Sequence, residues 1–142
     1  MPIRYRCDRT KGITYVAWKG SPSRQEWQES TNRMLTDPLW PGGDLYLTDT
    51  RLADVRHLED PPFLEQIARN FVGRVSQLKH AIVAASGYAT AERFQEKMNK
   101  LGFTCIVFSS LDTACLWLGI ELRETEKILQ ELQSESVGPP AS

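Results

Sequence analysis

The chain has 142 residues, 41% of them hydrophobic and 25% charged, proportions that suit one soluble globular domain with a real core. Seventeen basic residues against eighteen acidic ones leave a net charge of -1, so charge gives no ground for nucleic acid or an anionic membrane as partner. Cys7, Cys105 and Cys115 lie far apart without a C-x-x-C pair, and His57 and His80 are not at ligand spacing, which argues against a disulfide framework or a zinc site.

Met1-Pro-Ile-Arg-Tyr-Arg6 is already alternating and charged, unlike a signal peptide. No apolar run approaches the roughly 20 residues that span a bilayer, and a reducing cytoplasm is the expected location. Ile3, Tyr5 and Cys7 alternate with Arg4, Arg6 and Asp8, a period of two that predicts a half-wet edge strand. Arg9-Thr-Lys-Gly12 predicts a turn, and Ile13 to Trp18, apolar on both faces, a more central strand. Ser23 and Glu26 stand at capping-box spacing behind Pro22, so a helix begins there with Trp27, Thr31, Met34 and Leu35 inward. Pro38, Pro41, Gly42 and Gly43 end it in a loop. Asp44 to Asp49 reads as the third strand and Thr50 to Asp60 as a polar connection. Pro61 and Pro62 open the next helix, where Phe63, Leu64, Ile67, Ala68, Phe71 and Val72 recur at helical spacing.

His80 to Gly119 reads as strand, helix, strand, helix. Ala81 to Ala85 is apolar throughout, as a parallel strand covered on both faces would be. Phe94, Met98 and Leu101 face inward from the following helix, which Gly102 closes. Phe103 to Phe108 is the fifth strand, and Leu111 to Leu118 a helix separated by Gly119 from a last one, Glu121 to Gln133. Residues 134–142 have the composition of a disordered tail, leaving residues 1–133 as one domain. The expected fold is α/β, with a mixed, mainly parallel five-stranded sheet and crossover helices in the order ββαβαβαβα, plus a C-terminal helix.

Val107-Phe-Ser-Ser-Leu-Asp-Thr-Ala-Cys-Leu-Trp-Leu118, together with Leu47-Thr-Asp-Thr-Arg51 at the end of strand three, resembles the SpoIIAA-like branch of the STAS superfamily, the fold of anti-sigma-factor antagonists. The resemblance covers roughly residues 3 to 119 and implies a binding or regulatory module. Partner-switching members carry a phosphorylatable Ser, in an Asp-Ser context, where the helix after strand three begins. Here Glu59-Asp-Pro-Pro-Phe63 stands in that place, so no phosphosite carries over.

In open parallel sheets ligands bind beyond the carboxyl ends of the strands. This chain places Asp49, Thr50 and Arg51 there after strand three, Ser86, Gly87 and Tyr88 after strand four, and Ser109 and Ser110 after strand five. Arg51 would supply charge, Tyr88 a wall or a donor, and the helix N-termini a cradle for an anion. Each group also has a plainer role. Asp49 and Arg51 face one side of an extended strand and can pair with each other. Ser86 and Ser109 can cap helices, and Tyr88 can cover the core. Trp40, in a Pro/Gly-rich loop, is the tryptophan expected to be partly exposed and able to anchor a partner, while Trp27 and Trp117 are expected in the core.

A phospho-receiver site lacks its Lys after strand five, since Phe108-Ser-Ser110 stands there, and no G-x-G-x-x-G follows a strand. His57 is the one plausible general base, and a solvated loop His is commoner than a catalytic one. The sequence therefore points to a non-enzymatic protein-interaction or regulatory module without cofactor, catalytic residue or metal. Its partner would be a protein, a second copy of the chain included, met through the C-terminal helix or the wet edge strand. The alternative is a binder of a small anionic or lipid-like ligand at the carboxyl ends of strands three to five.

Overall fold

The computed structural model describes residues 2–42, 45–75 and 77–134. Ile3–Asp8 (β1) and Ile13–Gly20 (β2) form an antiparallel hairpin with Ile3 opposite Trp18 and Asp8 opposite Ile13. There follow Arg24–Leu35 (α1), Leu45–Ala53 (β3), Pro61–Arg69 (α2), Lys79–Val83 (β4), Tyr88–Lys100 (α3), Thr104–Phe108 (β5), Leu111–Leu118 (α4) and Leu122–Ser134 (α5). A 3₁₀ turn, Arg56–Leu58, lies between β3 and α2. β2 to β5 pair in parallel, and the order across the sheet is the chain order, β1-β2-β3-β4-β5. The class is α/β with a mixed five-stranded sheet and a C-terminal helix, as the alternation of elements predicts. No helix among the described residues is long and apolar enough to cross a membrane.

Strand order without reversal decides where the helices go. Crossovers of one hand, each stepping to the next strand in the same direction, all pass over the same face. α1, α2 and α3 accordingly pack with Val16, Trp18, Tyr46 and Ile82 in one core. α4 and α5 pack with Tyr15, Leu47, Ala81 and Val83 in another on the opposite face. Alternation along β3 sends Tyr46, Thr48 and Thr50 toward α1–α3, and Leu47, Asp49 and Arg51 toward α5.

Local chemistry explains the boundaries. Ser23 Oγ accepts the Glu26 N–H at 3.0 Å, and Glu26 Oε1 accepts the Ser23 N–H at 2.9 Å, completing the capping box. Gly119 takes φ 73°, a left-handed conformation that lets α4 stop and the chain turn directly into α5. β3 runs four residues past Asp49, through what reads in sequence as a polar connection. The cause is β2, whose end pairs Lys19 with Leu52 and Gly20 with Ala53 after an irregularity at Ala17–Lys19, giving those residues a ladder the sequence does not announce. α2 is shorter than its periodicity predicts. Asn70 Nδ2 donates to the Gln66 and Ile67 carbonyls and the chain turns through residues 70–74, so Val72, expected inward, stands 52% exposed. Ser134 is the last residue of α5. The rest of the expected tail, residues 135–142, and Gly43 and Asp44 of the expected loop and strand start lie outside the described residues.

Candidate functional site

The residues expected at the strand ends separate onto two faces. On the α5 side, Asp49 is 0% exposed and its carboxylate is fully engaged. Oδ1 accepts the Arg51 backbone N–H at 3.0 Å and Nε at 2.9 Å. Oδ2 accepts Arg51 Nη2 at 3.0 Å and Gln133 Nε2 at 3.2 Å. Asp49 holds the guanidinium charged and offsets it, so Arg51 is not an uncommitted cation for an anion. The pair instead ties the end of β3 to the end of α5, along a groove lined by Leu52, Glu126, Leu129 and Gln130.

On the other face, Ser86 is exposed, and α3 begins without a side-chain cap. Gly87 is buried, and a Cβ there would lie 2.2 Å from Val55 Cγ2. Close approach to the 3₁₀ turn, with an ordinary φ of -93°, is therefore what requires glycine. The Tyr88 hydroxyl is committed as well, donating to the Val107 carbonyl at 3.1 Å. Gln95 Oε1 accepts the Val107 N–H at 2.7 Å, and Asn99 takes both the Cys105 N–H, at 2.9 Å, and the Cys105 carbonyl, at 3.3 Å. Side chains of α3 thus occupy the outer hydrogen-bonding groups of edge strand β5 and protect it against strand addition. Trp40 is half-buried, its ring edge-on to Tyr46 at 6.5 Å. Ser110 rather than Ser109 caps α4, accepting the Thr113 N–H at 3.4 Å. His57, the one candidate for a base and expected to be a solvated loop residue, has Nε2 2.6 Å from the Pro22 carbonyl oxygen, which makes it a tie between the 3₁₀ turn and the entry to α1. Trp27 and Trp117, expected in the core, are both half-buried, Trp117 with its ring 5.6 Å from Phe108.

What the fold assembles instead is a cavity of about 40 Å³ between the sheet and α1–α3. Trp18, Thr48, Thr50, His80 and Ile82 form its sheet wall, Trp27, Thr31 and Phe94 its helix wall. Val55, Leu58, Thr90 and Ala91 close it toward the carboxyl ends of β3 and β4. None of its lining residues is Asp, Glu, Lys or Arg. Several rings meet around it: Trp27 meets Trp18 edge-on at 4.9 Å and Phe94 at a tilt at 5.3 Å, and Tyr46 stacks on His80 at 4.1 Å.

His80 is the polar centre of this space. The ring is 2% exposed, and burial pushes its pKa down to about 3, so it is neutral. Nε2 lies 2.9 Å from Thr48 Oγ1, while Nδ1 has no hydrogen-bond partner. Thr50 Oγ1 donates to the Val83 carbonyl at 3.1 Å and Thr90 Oγ1 to Glu59 Oε2 at 3.4 Å, and both oxygens keep acceptor capacity. Burial also raises the Tyr46 hydroxyl and the Cys105 thiol well above their ordinary values. The arrangement can bind a neutral molecule. It does not make a nucleophile, because the imidazole has no carboxylate to orient it and does not take up a proton at neutral pH.

This site is not among the groups the sequence singles out. Its signal is present nonetheless: His80 heads an apolar run in a strand expected to be covered on both faces, and a buried polar group there needs a partner. Thr48 and Thr50 stand at the alternate positions that share its face. Among the described residues no group of three or more His, Cys, Asp or Glu could hold a metal ion. No family model matches the chain, and no curated protein matches it.

Proposed function

We propose that this domain is a non-enzymatic binding module for a small, neutral, largely apolar ligand held between the sheet and α1–α3. The observation that supports this most is the buried His80 Nδ1, left without a partner at the wall of a cavity lined by aromatic rings and threonine hydroxyls. An unsatisfied buried polar atom costs about 1–3 kcal/mol, a cost that a bound molecule with one polar group offsets. Two facts weigh against an anionic ligand. Arg51 is committed to Asp49, and a carboxylate or phosphate in the cavity would lose its hydration with no cation to meet it. The resemblance to the SpoIIAA-like branch of the STAS superfamily supports the same conclusion in coarser form, as a regulatory or binding fold without catalytic machinery.

The test is a fragment screen on the full chain by NMR. Neutral apolar fragments are expected to move the indole resonances of Trp18 and Trp27. Ala91→Val, which adds two methyl groups to the cavity wall, should weaken them, and Arg51→Ala should not. Hits lost with Arg51→Ala but kept with Ala91→Val would place binding on the strand-end surface and refute the proposal. A protein partner is the second reading, supported by Leu116, which stands 81% exposed on α4. Light scattering would detect self-association, and Leu116→Asp should abolish it if α4 is the contact.

A further inference from the structure

Resting on the second reading, self-association, and not on the cavity, we propose that two copies of the chain join through β1. The two strands run antiparallel and make one continuous sheet. The two edges of the sheet differ in a way that points there. At β5, side chains of α3 take the outward backbone groups of Cys105 and Val107. At β1 the phase of the hairpin decides which groups face out. The Lys19 N–H donates to the Pro2 carbonyl at 2.8 Å, and Ile3 lies opposite Trp18. Arg4, Arg6 and Asp8 therefore turn their N–H and C=O toward β2, and Ile3, Tyr5 and Cys7 turn theirs outward. Among the described residues nothing hydrogen-bonds to these outward groups. Such a row is a template for another strand.

The charges on β1 name that strand. Arg6 Nη1 donates to Glu131 Oε1 of α5 at 2.9 Å, and alternation puts Arg4 and Asp8 on the same face as Arg6. With Tyr5 set opposite Cys7 of a second copy, these two residues exchange both backbone bonds, once on each side of a two-fold axis. Arg4 then stands opposite Asp8 of the second copy, again twice. Arg6 meets its own counterpart on the axis, where each guanidinium already has Glu131 beside it, so the cluster is neutral. Other registers fail on charge or length. Tyr5 opposite Tyr5 sets Arg4 against Arg6 twice, and like charges directly opposite destabilise a pair. Tyr5 opposite Ile3 sets Arg4 against itself and gives Asp8 no counterpart. Cys7 opposite Cys7 calls for pairing by Arg9, which lies in the turn. Charges that repel a foreign strand thus accept this same strand reversed.

A strand of six residues makes a small contact beside the roughly 1,200–2,000 Å² of a stable complex, so a concentration-dependent equilibrium is expected. Light scattering on the full chain should show monomer passing to dimer as concentration rises. Amide exchange by NMR then locates the contact: the Tyr5 and Cys7 amides should slow as the dimer forms, and those of Arg4 and Arg6, already inside the hairpin, should not change. Asp8→Arg should weaken the dimer by about tenfold or more. Arg4→Asp together with Asp8→Arg should restore it, and Leu116→Asp should leave it unchanged. Association lost with Leu116→Asp and kept with Asp8→Arg would put the contact on α4, overturning the β1 dimer while keeping self-association. A monomer at every concentration would overturn both, and neither result touches the cavity. A dimer with unmoved Tyr5 and Cys7 amides would also overturn the proposal. That measurement is made on the natural protein, so the outcome does not depend on any variant folding.

Discussion

Acid should destabilise this protein through one ring. His80 is neutral in the native state, with a pKa of about 3, against 6.5 when the chain is unfolded. Above 6.5 the ring is neutral in both states and adds no pH dependence. As the pH falls below 6.5 the unfolded chain takes up a proton that the native state refuses, and stability drops by about 1.36 kcal/mol per unit until the native pKa is reached. At a pH of about 4.5, two units down, the loss is about 2.7 kcal/mol. That value holds for any native pKa well below about 4.5, and it is a large share of the roughly 5–15 kcal/mol of a typical domain. Asp54, held down to about 2 by Arg56, titrates below this window. The comparison is with Thr48→Val/His80→Leu, in which both hydrogen-bonding partners are replaced by apolar groups of similar shape, a change that costs little by itself. Urea unfolding followed by tryptophan fluorescence, from pH about 7.5 to about 4.5, should show the natural protein losing about 2.7 kcal/mol more than the variant. Parallel pH profiles for the two proteins would refute the buried, neutral ring.

Three further outcomes follow from packing. Gly87→Ala drives a Cβ to within 2.2 Å of Val55 Cγ2 and should cost about 1–3 kcal/mol by overpacking; Val55→Ala in the same chain should recover part of it in urea midpoints, and a neutral single change would disprove the close approach. Asp49→Asn removes the carboxylate that joins Arg51 to Gln133 and should cost about 1.5–3 kcal/mol, with faster amide exchange across α5; unchanged exchange would mean α5 is held by its apolar stripe alone. Tyr88→Phe with Gln95→Ala frees the Val107 carbonyl and N–H on the β5 edge. Light scattering should then show species larger than those of the natural protein, and sizes equal to the natural protein's at every concentration would show that the edge needs no such guard.

Much of the architecture was legible because it depends on local periodicity and on chain order. Alternation over Ile3 to Asp8 announced an edge strand, Ser23 and Glu26 announced the start of α1, and strands interleaved with amphipathic helices required parallel pairing. The errors fall where a distant segment overrides a local signal. β3 continues to Ala53 because the end of β2 lies beside it. Val72 fits the helical stripe of α2, but the turn at Asn70 and Gly73, where φ is 81°, carries it outward.

The site shows the same division more sharply. Sequence alone determined that Asp49 and Arg51 share a face, since side chains two apart on a strand must do so. It could not show that α5 would return to bury the carboxylate, or that Tyr88 would spend its hydroxyl on the β5 edge. The cavity belongs wholly to the tertiary structure. Thr48 and His80 are 32 residues apart and meet only because β3 and β4 are parallel neighbours with Tyr46 opposite His80. Trp27 and Phe94 reach the same space from helices placed on one face by a strand order that never reverses. A hydrogen bond or an unpartnered nitrogen is a relation between segments, and relations between segments exist only once the chain has packed.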